Sequence, residues 1–175
     1  SLTATGQLTF DGVTILTCTT PLPAVVVNGT SLTTATVVTI NAGISMRAWY
    51  DILALDRDGP VDETGIRESG ELLNALLGRE RGRGVDAGNI VVAGFSQGGA
   101  IALHAALRYP EKLAGLMALS TYLPLHDHFT DEVLNNAVAV NQDLPIFMAH
   151  GSFDPVLPMQ LGRSSADLLL ESGHK

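Results

Sequence analysis

Cysteine is nearly absent. Cys18 stands alone in 175 residues, so no disulfide can form within the chain and stability has to come from packing, which fits a reducing compartment. Basic residues are scarce too. Ten Lys and Arg against 18 Asp and Glu leave a formal net charge of −8, which argues against nucleic acid as the main partner. The one basic run, Arg79-Arg81-Arg83, alternates with Glu80 and Gly82 and reads as favourable charge at a helix C-terminus. No apolar run approaches membrane-spanning length, so stable membrane insertion is not expected. The first residues lack a basic segment followed by an apolar one, so no signal peptide is visible and a cytoplasmic location is expected. Charge itself is missing from the start of the chain: Asp11 is the only charged residue before Arg47.

What remains is 46% hydrophobic and 16% charged, the composition of a globular chain able to bury a core. We expect one domain over residues 1–175. The Thr- and Val-rich opening reads as short strands at Gln7–Phe10, Val13–Cys18, Ala24–Val27 and Ala35–Ile40. From there strands alternate with helices. A helix is expected over Glu63–Gly82, with Ile66, Leu72, Leu73, Leu76 and Leu77 on one side. Ile90–Phe95 reads as a strand, Gln97–Arg108 as a helix, Leu113–Ser120 as a strand and Tyr122–Asp131 as a loop. Pro145–His150 is the next strand and Gln160–Ser172 the last helix. This alternation implies an α/β fold, a mostly parallel sheet with helices on both faces.

Gly94-Phe95-Ser96-Gln97-Gly98 carries the chemistry. The pattern Gly-x-Ser-x-Gly falls where a β-branched apolar strand meets a helix rich in Ala and Leu, the strand–turn–helix context of a nucleophile elbow. The turn has to be sharp, and small residues at 94 and 98 let strand and helix approach. The free N–H groups at the helix start then face the position where an oxyanion would form. Ser96 is the expected nucleophile and the backbone N–H of Gln97 an expected oxyanion donor.

Further stretches sit in a recognisable order: Val38-Thr39-Ile40-Asn41-Ala42-Gly43, Met46-Arg47-Ala48-Trp49-Tyr50-Asp51-Ile52, Ala118-Leu119-Ser120-Thr121-Tyr122-Leu123-Pro124 and His150-Gly151-Ser152-Phe153-Asp154-Pro155. With the Ser96 motif, these resemble the bacterial carboxylesterase and phospholipase/carboxylesterase family of α/β-hydrolases, the acyl-protein thioesterase-like group, over residues 37–175. The resemblance implies a cofactor-free serine esterase acting on a small acyl ester through an acyl-enzyme, with thioesters or lysophospholipids as alternative substrates. It implies Ser96 as nucleophile, Asp154 as triad acid, and Met46, Trp49 and Leu123 near the acyl groove. Residues 1–36 do not look like the family.

The family pattern also sets expectations that the chain departs from. Its histidine base lies roughly 30 residues past the Asp, beyond Lys175, so the last strand and helix of the fold are expected to be missing. The N-terminal part reads as truncated or rearranged, with Asn28-Gly29 as the nearest stand-in for the oxyanion loop. A catalytically incomplete fragment or a binding protein is therefore the alternative, and an uncovered sheet edge would favour self-association. Among the five histidines, His104 lies about 12 Å from Ser96 along the helix. His150 reads as packed or bonded to backbone, and His174 as a surface residue. His126-x-His128 is open as a substituted base or metal pair, but no further ligands stand at metal-site spacing, and no metal is expected.

Overall fold

A computed structural model describes residues 6–10, 13–17, 24–27, 37–40, 44–53, 59–135 and 138–174, with side chains from residue 48 onward, Leu134 excepted. Among the described residues, five strands precede the first helix: β1 (Gly6–Phe10), β2 (Val13–Thr17), β3 (Ala24–Val27), β4 (Val37–Ile40) and β5 (Ile44–Arg47). Helix α1 (Glu63–Gly82), β6 (Ile90–Phe95), α2 (Gln97–Arg108), β7 (Gly115–Leu119), α3 (His126–Leu134), β8 (Ile146–Ala149) and α4 (Met159–Glu171) follow. The described strands form two antiparallel pairs, β1–β2 and β4–β5, and a four-stranded parallel sheet in the order β3-β6-β7-β8.

The parallel sheet is built from short apolar runs. Ala24–Val27 pairs with Ile90–Ala93, Val91–Phe95 with Gly115–Leu119, and Leu116–Leu119 with Ile146–Ala149. One face of its central strands, β6 and β7, is covered. Ile90, Val92, Leu116 and Ala118 are buried beneath α2, which packs on β6 and β7 and is itself packed by α1. Residues 98–107 of α2 are buried without exception, as expected for a helix lying between a sheet and a second helix.

Helix α1 begins where Asp62 caps it, its carboxylate accepting from the Gly65 N–H at 2.9 Å, an N-cap bond that satisfies a free helix donor. Ile66, Leu73, Leu76 and Leu77 face inward as expected, but Leu72 is 43% exposed, one step out of the stripe. Helices α1 and α2 and strands β3 and β6 have the bounds that the sequence implies, β1, β7, β8 and α4 shift by a residue or two at their ends, and Cys18, the expected last residue of β2, lies outside the described residues. Residues 35–36 of the fourth expected strand lie outside the described residues.

Residues 122–131 correct the sequence reading. The expected loop is in part helix α3. His126-Asp127-His128 and Thr130 give little intrinsic helix propensity, and the segment is helical because Phe129 is wholly buried and Glu132 pairs with Arg108 on α2. Tertiary packing decides the helix here.

A buried amide fixes the turn before β7. Asn141 is inaccessible to solvent. Its Nδ2 donates to the Tyr109 carbonyl at 2.8 Å and the Glu111 carbonyl at 3.1 Å, and its Oδ1 accepts from the Leu113 N–H at 3.0 Å. Removing it strands three backbone groups, each worth about 1–3 kcal/mol when left unpaired. We expect Asn141→Ala to lose about 3 kcal/mol or more in urea unfolding, and Asn141→Asp, which keeps only the acceptor, to recover little.

Burial also sets an acid sensitivity. His104 on α2 is 5% exposed, and desolvation, helped by Arg108 and Arg67, pushes its pKa down to about 3. The unfolded chain therefore binds a proton at His104 between about pH 6.5 and pH 3 that the folded chain does not. Stability contributed by this site is intact above about pH 6.5 and falls as pH drops through that window. Urea unfolding at pH 7.5 and pH 5 should show a smaller acid loss for His104→Leu than for the parent chain.

Candidate active site

The site is assembled at the carboxyl ends of β6, β7 and β8. Ser96 follows β6 directly and precedes α2 with φ 53° and ψ −126°, a backbone conformation that side-chain-bearing residues rarely adopt and that costs of order 1–3 kcal/mol. The neighbouring glycines show why it is reached. A Cβ on Gly94 would lie 2.2 Å from the Gly98 carbonyl oxygen, and one on Gly99 would lie 2.7 Å from the Thr121 side chain. Strand and helix therefore meet at a distance that only glycine permits.

The backbone of Ser96 is held on every side. Its N–H donates to the Leu119 carbonyl of β7 at 2.9 Å. Its carbonyl accepts from Gly99 and Ala100 N–H at 3.0 and 3.1 Å and from the Thr121 hydroxyl at 2.8 Å. Thr121 thus braces Ser96 from the segment after β7, a contact that no sequence motif announces.

Asp154 lies in the turn after β8. Its Oδ1 accepts from the Val156 and Leu157 N–H groups, both at 2.9 Å. Those two backbone donors hold its carboxyl below the ordinary value, with His150 and a hydrogen bond from Ser120 adding to the effect. Ser120 links the two halves. It directly follows β7, donates its own N–H to Ala149 of β8 at 2.8 Å, and sits between the strand that ends at Ser96 and the turn that carries Asp154. Two strand spacings separate β6 from β8, about 10 Å.

The five histidines take no part in bonding the Ser96 hydroxyl. His150 is close to Asp154, Nε2 to Oδ2 3.7 Å, but its Nε2 is 2.9 Å from the Leu157 carbonyl and its Nδ1 faces Gly162 on α4. His126 Nε2 lies 3.3 Å from Asp127 and the half-exposed His128 lies 4.0 Å from Glu63. Among the described residues no three His, Cys, Asp or Glu side chains cluster in a way that could hold a metal. His174 corrects the surface reading: it is 3% exposed, stacks at 5.6 Å on Phe129, and donates its N–H to Leu169 where Gly173, at φ 87°, ends α4. That is a Schellman cap.

Of the expected groove residues, Trp49 and Leu123 are buried, and the side chain of Met46 lies outside the described residues, as does Asn28-Gly29. Leu123 borders a cavity of about 80 Å³ together with Tyr122, Leu125, Leu157, Leu161 and Leu168, rimmed by His126 and His128. The cavity opens beside the Tyr122-Leu123 segment that follows β7 and beside Leu157, whose N–H the Asp154 carboxylate holds.

A profile of the phospholipase/carboxylesterase family matches residues 4–175. The chain belongs to this family of α/β-hydrolases. Similar curated proteins are acyl-protein thioesterase 1 of Neurospora crassa, 42% identical over 142 residues, and acyl-protein thioesterase 1 of Emericella nidulans, 37% identical over 143. Each alignment takes in 78% of this chain but only 57% and 59% of the relative. Among solved structures, Arabidopsis thaliana SOBER1 superposes with a TM-score of 0.70 at 30% identity, over 81% of this chain and 67% of that one. Zea mays acyl-protein thioesterase 2 also reaches 0.70, at 26% identity, over 89% of this chain and 71% of its own. The α/β-hydrolase fold read from the sequence is therefore the fold of the chain, and no helix among the described residues is long and apolar enough to cross a membrane.

The close contact at Gly94 is the most sensitive point of this phospholipase/carboxylesterase-family site. We expect Gly94→Ala to destabilise the fold at or above the upper end of the about 1–3 kcal/mol typical of overpacking, because the obstacle is backbone and cannot rotate away. Thermal unfolding beside Gly88→Ala, where a Cβ meets only the Lys112 carbonyl at 4.0 Å, measures the difference.

Proposed function

We propose that the chain is a serine acyl hydrolase acting on acyl thioesters and carboxylic esters, with the thioester the better supported substrate. The observation that carries the reading is the backbone of Ser96, at φ 53° between a buried strand and the start of α2, the geometry of a nucleophile elbow. The names of the curated relatives, acyl-protein thioesterases, support the thioester over the simple carboxylesterase that the motifs alone suggest.

In this reading Ser96 Oγ attacks the acyl carbon and loses its proton to an imidazole base. The oxyanion forms at the N-terminus of α2, where the Gln97 N–H donates to it. Collapse expels the thiol or alcohol, protonated by the base, and water then cleaves the Ser96 ester to release the acid. Asp154 stays ionised and orients and stabilises the imidazolium. In this reading the acyl chain is placed in the cavity beside Leu123, whose wall Leu125, Leu157, Leu161 and Leu168 share, and no cofactor enters any step. Besides the small acyl substrate, the mechanism needs water and an imidazole, which none of the five histidines of this chain brings to the Ser96 hydroxyl.

None of the five histidines bonds to the Ser96 hydroxyl, and this gives the reading a specific signature. Acylation by the 175-residue chain should be slow, roughly 10⁴–10⁶-fold below a complete triad, and should rise with added imidazole. We expect hydrolysis of an acyl thioester and of p-nitrophenyl butyrate above the Ser96→Ala background, an increment that grows with imidazole, and mass labelling of the Ser96 peptide by a fluorophosphonate. Equal rates for parent and Ser96→Ala at every imidazole concentration would leave the non-catalytic binding protein as the better account.

A further inference from the structure

Gln97 does more than follow the serine. Its side-chain amide reaches across to the segment after β5, where Oε1 accepts from the Trp49 N–H at 3.3 Å and Nε2 donates to the Tyr50 carbonyl at 2.9 Å. The two partners fix which end of the amide is which: an N–H needs the oxygen and a C=O needs the nitrogen. The rest of the segment is tied as well. The Ser69 hydroxyl donates to the Trp49 carbonyl, Asp62 accepts from the Asp51 N–H at 2.9 Å, and the Tyr50 and Tyr122 hydroxyls lie 2.9 Å apart. Burial holds both phenols above their ordinary pKa, so this last bond joins neutral groups. Tyr122 in turn borders the leucine-lined cavity. A continuous chain of contacts thus runs from the residue beside Ser96, through Trp49-Tyr50, to the wall of the cavity.

We propose that the Gln97 side chain is a positioning residue that fixes the Trp49–Tyr50 segment and, through the Tyr50–Tyr122 bond, sets the acyl-chain preference of the site. This role belongs to the side chain and is separate from the oxyanion role of the Gln97 backbone N–H. The specificity part rests on the acyl-hydrolase reading above; the clamp itself does not. Few other side chains can do this work, because donor and acceptor must sit on one planar group to serve two consecutive residues. Glutamate keeps the acceptor for Trp49 but sets an oxygen against the Tyr50 carbonyl.

Trp49 is the only tryptophan of the chain and is buried, so its fluorescence reports the segment without labelling. The test compares the parent with Gln97→Ala, the isosteric Gln97→Glu, and Tyr50→Phe. Trp49 emission and acrylamide quenching are read beside Ser96 acylation by short- and long-chain p-nitrophenyl esters with added imidazole, corrected for the Ser96→Ala background. Expected results are a red-shifted, more readily quenched Trp49 in both Gln97 variants, and a long-to-short acylation ratio changed by about tenfold, the scale of one lost hydrogen bond. Tyr50→Phe should change the ratio and leave Trp49 emission in place, which a general loss of structure would not do. Unchanged Trp49 emission in both Gln97 variants overturns the clamp. A shifted emission with an unchanged ratio overturns the specificity role. A parent chain that is not acylated at Ser96 overturns the acyl-hydrolase reading and the specificity role with it, while the fluorescence arm still decides the clamp.

Discussion

Everything at this site depends on how closely β6 and α2 approach each other. The Gly94–Gly98 contact leaves no room for a Cβ, and the short distance forces the chain to reverse within one residue. Ser96 takes that reversal in a left-handed conformation whose cost is offset locally. Its N–H is bound by β7 and its carbonyl by two helix N–H groups and the Thr121 hydroxyl. A strained residue persists only where its surroundings over-determine it, and here three separate elements do so. The result is a serine whose backbone is held in a rigid frame at the start of a helix.

The parallel sheet supplies the second constraint. All its strands end at the same edge, so residues just past β6, β7 and β8 meet there although they are far apart in sequence. Ser96 and Ser120 directly follow β6 and β7, and Asp154 lies in the turn after β8, for this reason. The segment after β7 holds this edge together. Ser120 is bonded to β8 and helps keep the Asp154 carboxyl below its ordinary pKa, Thr121 braces Ser96, Tyr122 reaches Tyr50, and the Leu123 N–H is held by Ser165 on α4 at 2.8 Å. Four consecutive residues each connect a different part of the molecule, so a change in this segment would be felt at every wall of the site.

Where periodicity and local signals agreed, the sequence was legible. The apolar stripe of α1 with its Asp62 cap, the buried run of β6 and the Gly-x-Ser-x-Gly turn all point to the elements that form. Helix α3 was not legible, because its residues favour no helix and one buried Phe129 with one ion pair to Arg108 decides it. Leu72 misled because a leucine pair at 72 and 73 spans more of the helix surface than the core covers. Asn141 and the Gln97 side chain were invisible for a different reason: their partners are backbone groups of distant segments, and backbone groups carry no sequence signal. His174 read as exposed by its position, yet a Schellman cap turns it back onto Phe129.

Two kinds of ionisable group in this chain stand in opposite environments, and the contrast defines what a base at this site must be. Desolvation in the core takes His104 down to about 3 and lowers His174 as well. An imidazole so weakly basic is a poor acceptor for a serine proton near neutral pH. Asp154 sits in a polar turn where backbone N–H groups hold it ionised, so it acts as a fixed negative charge and not as a proton acceptor. Its field raises the basicity of an imidazole placed beside it, and the interior lowers it. The chemistry proposed for Ser96 therefore belongs to the edge of the sheet, where the carboxylate is, and the buried histidines belong to packing.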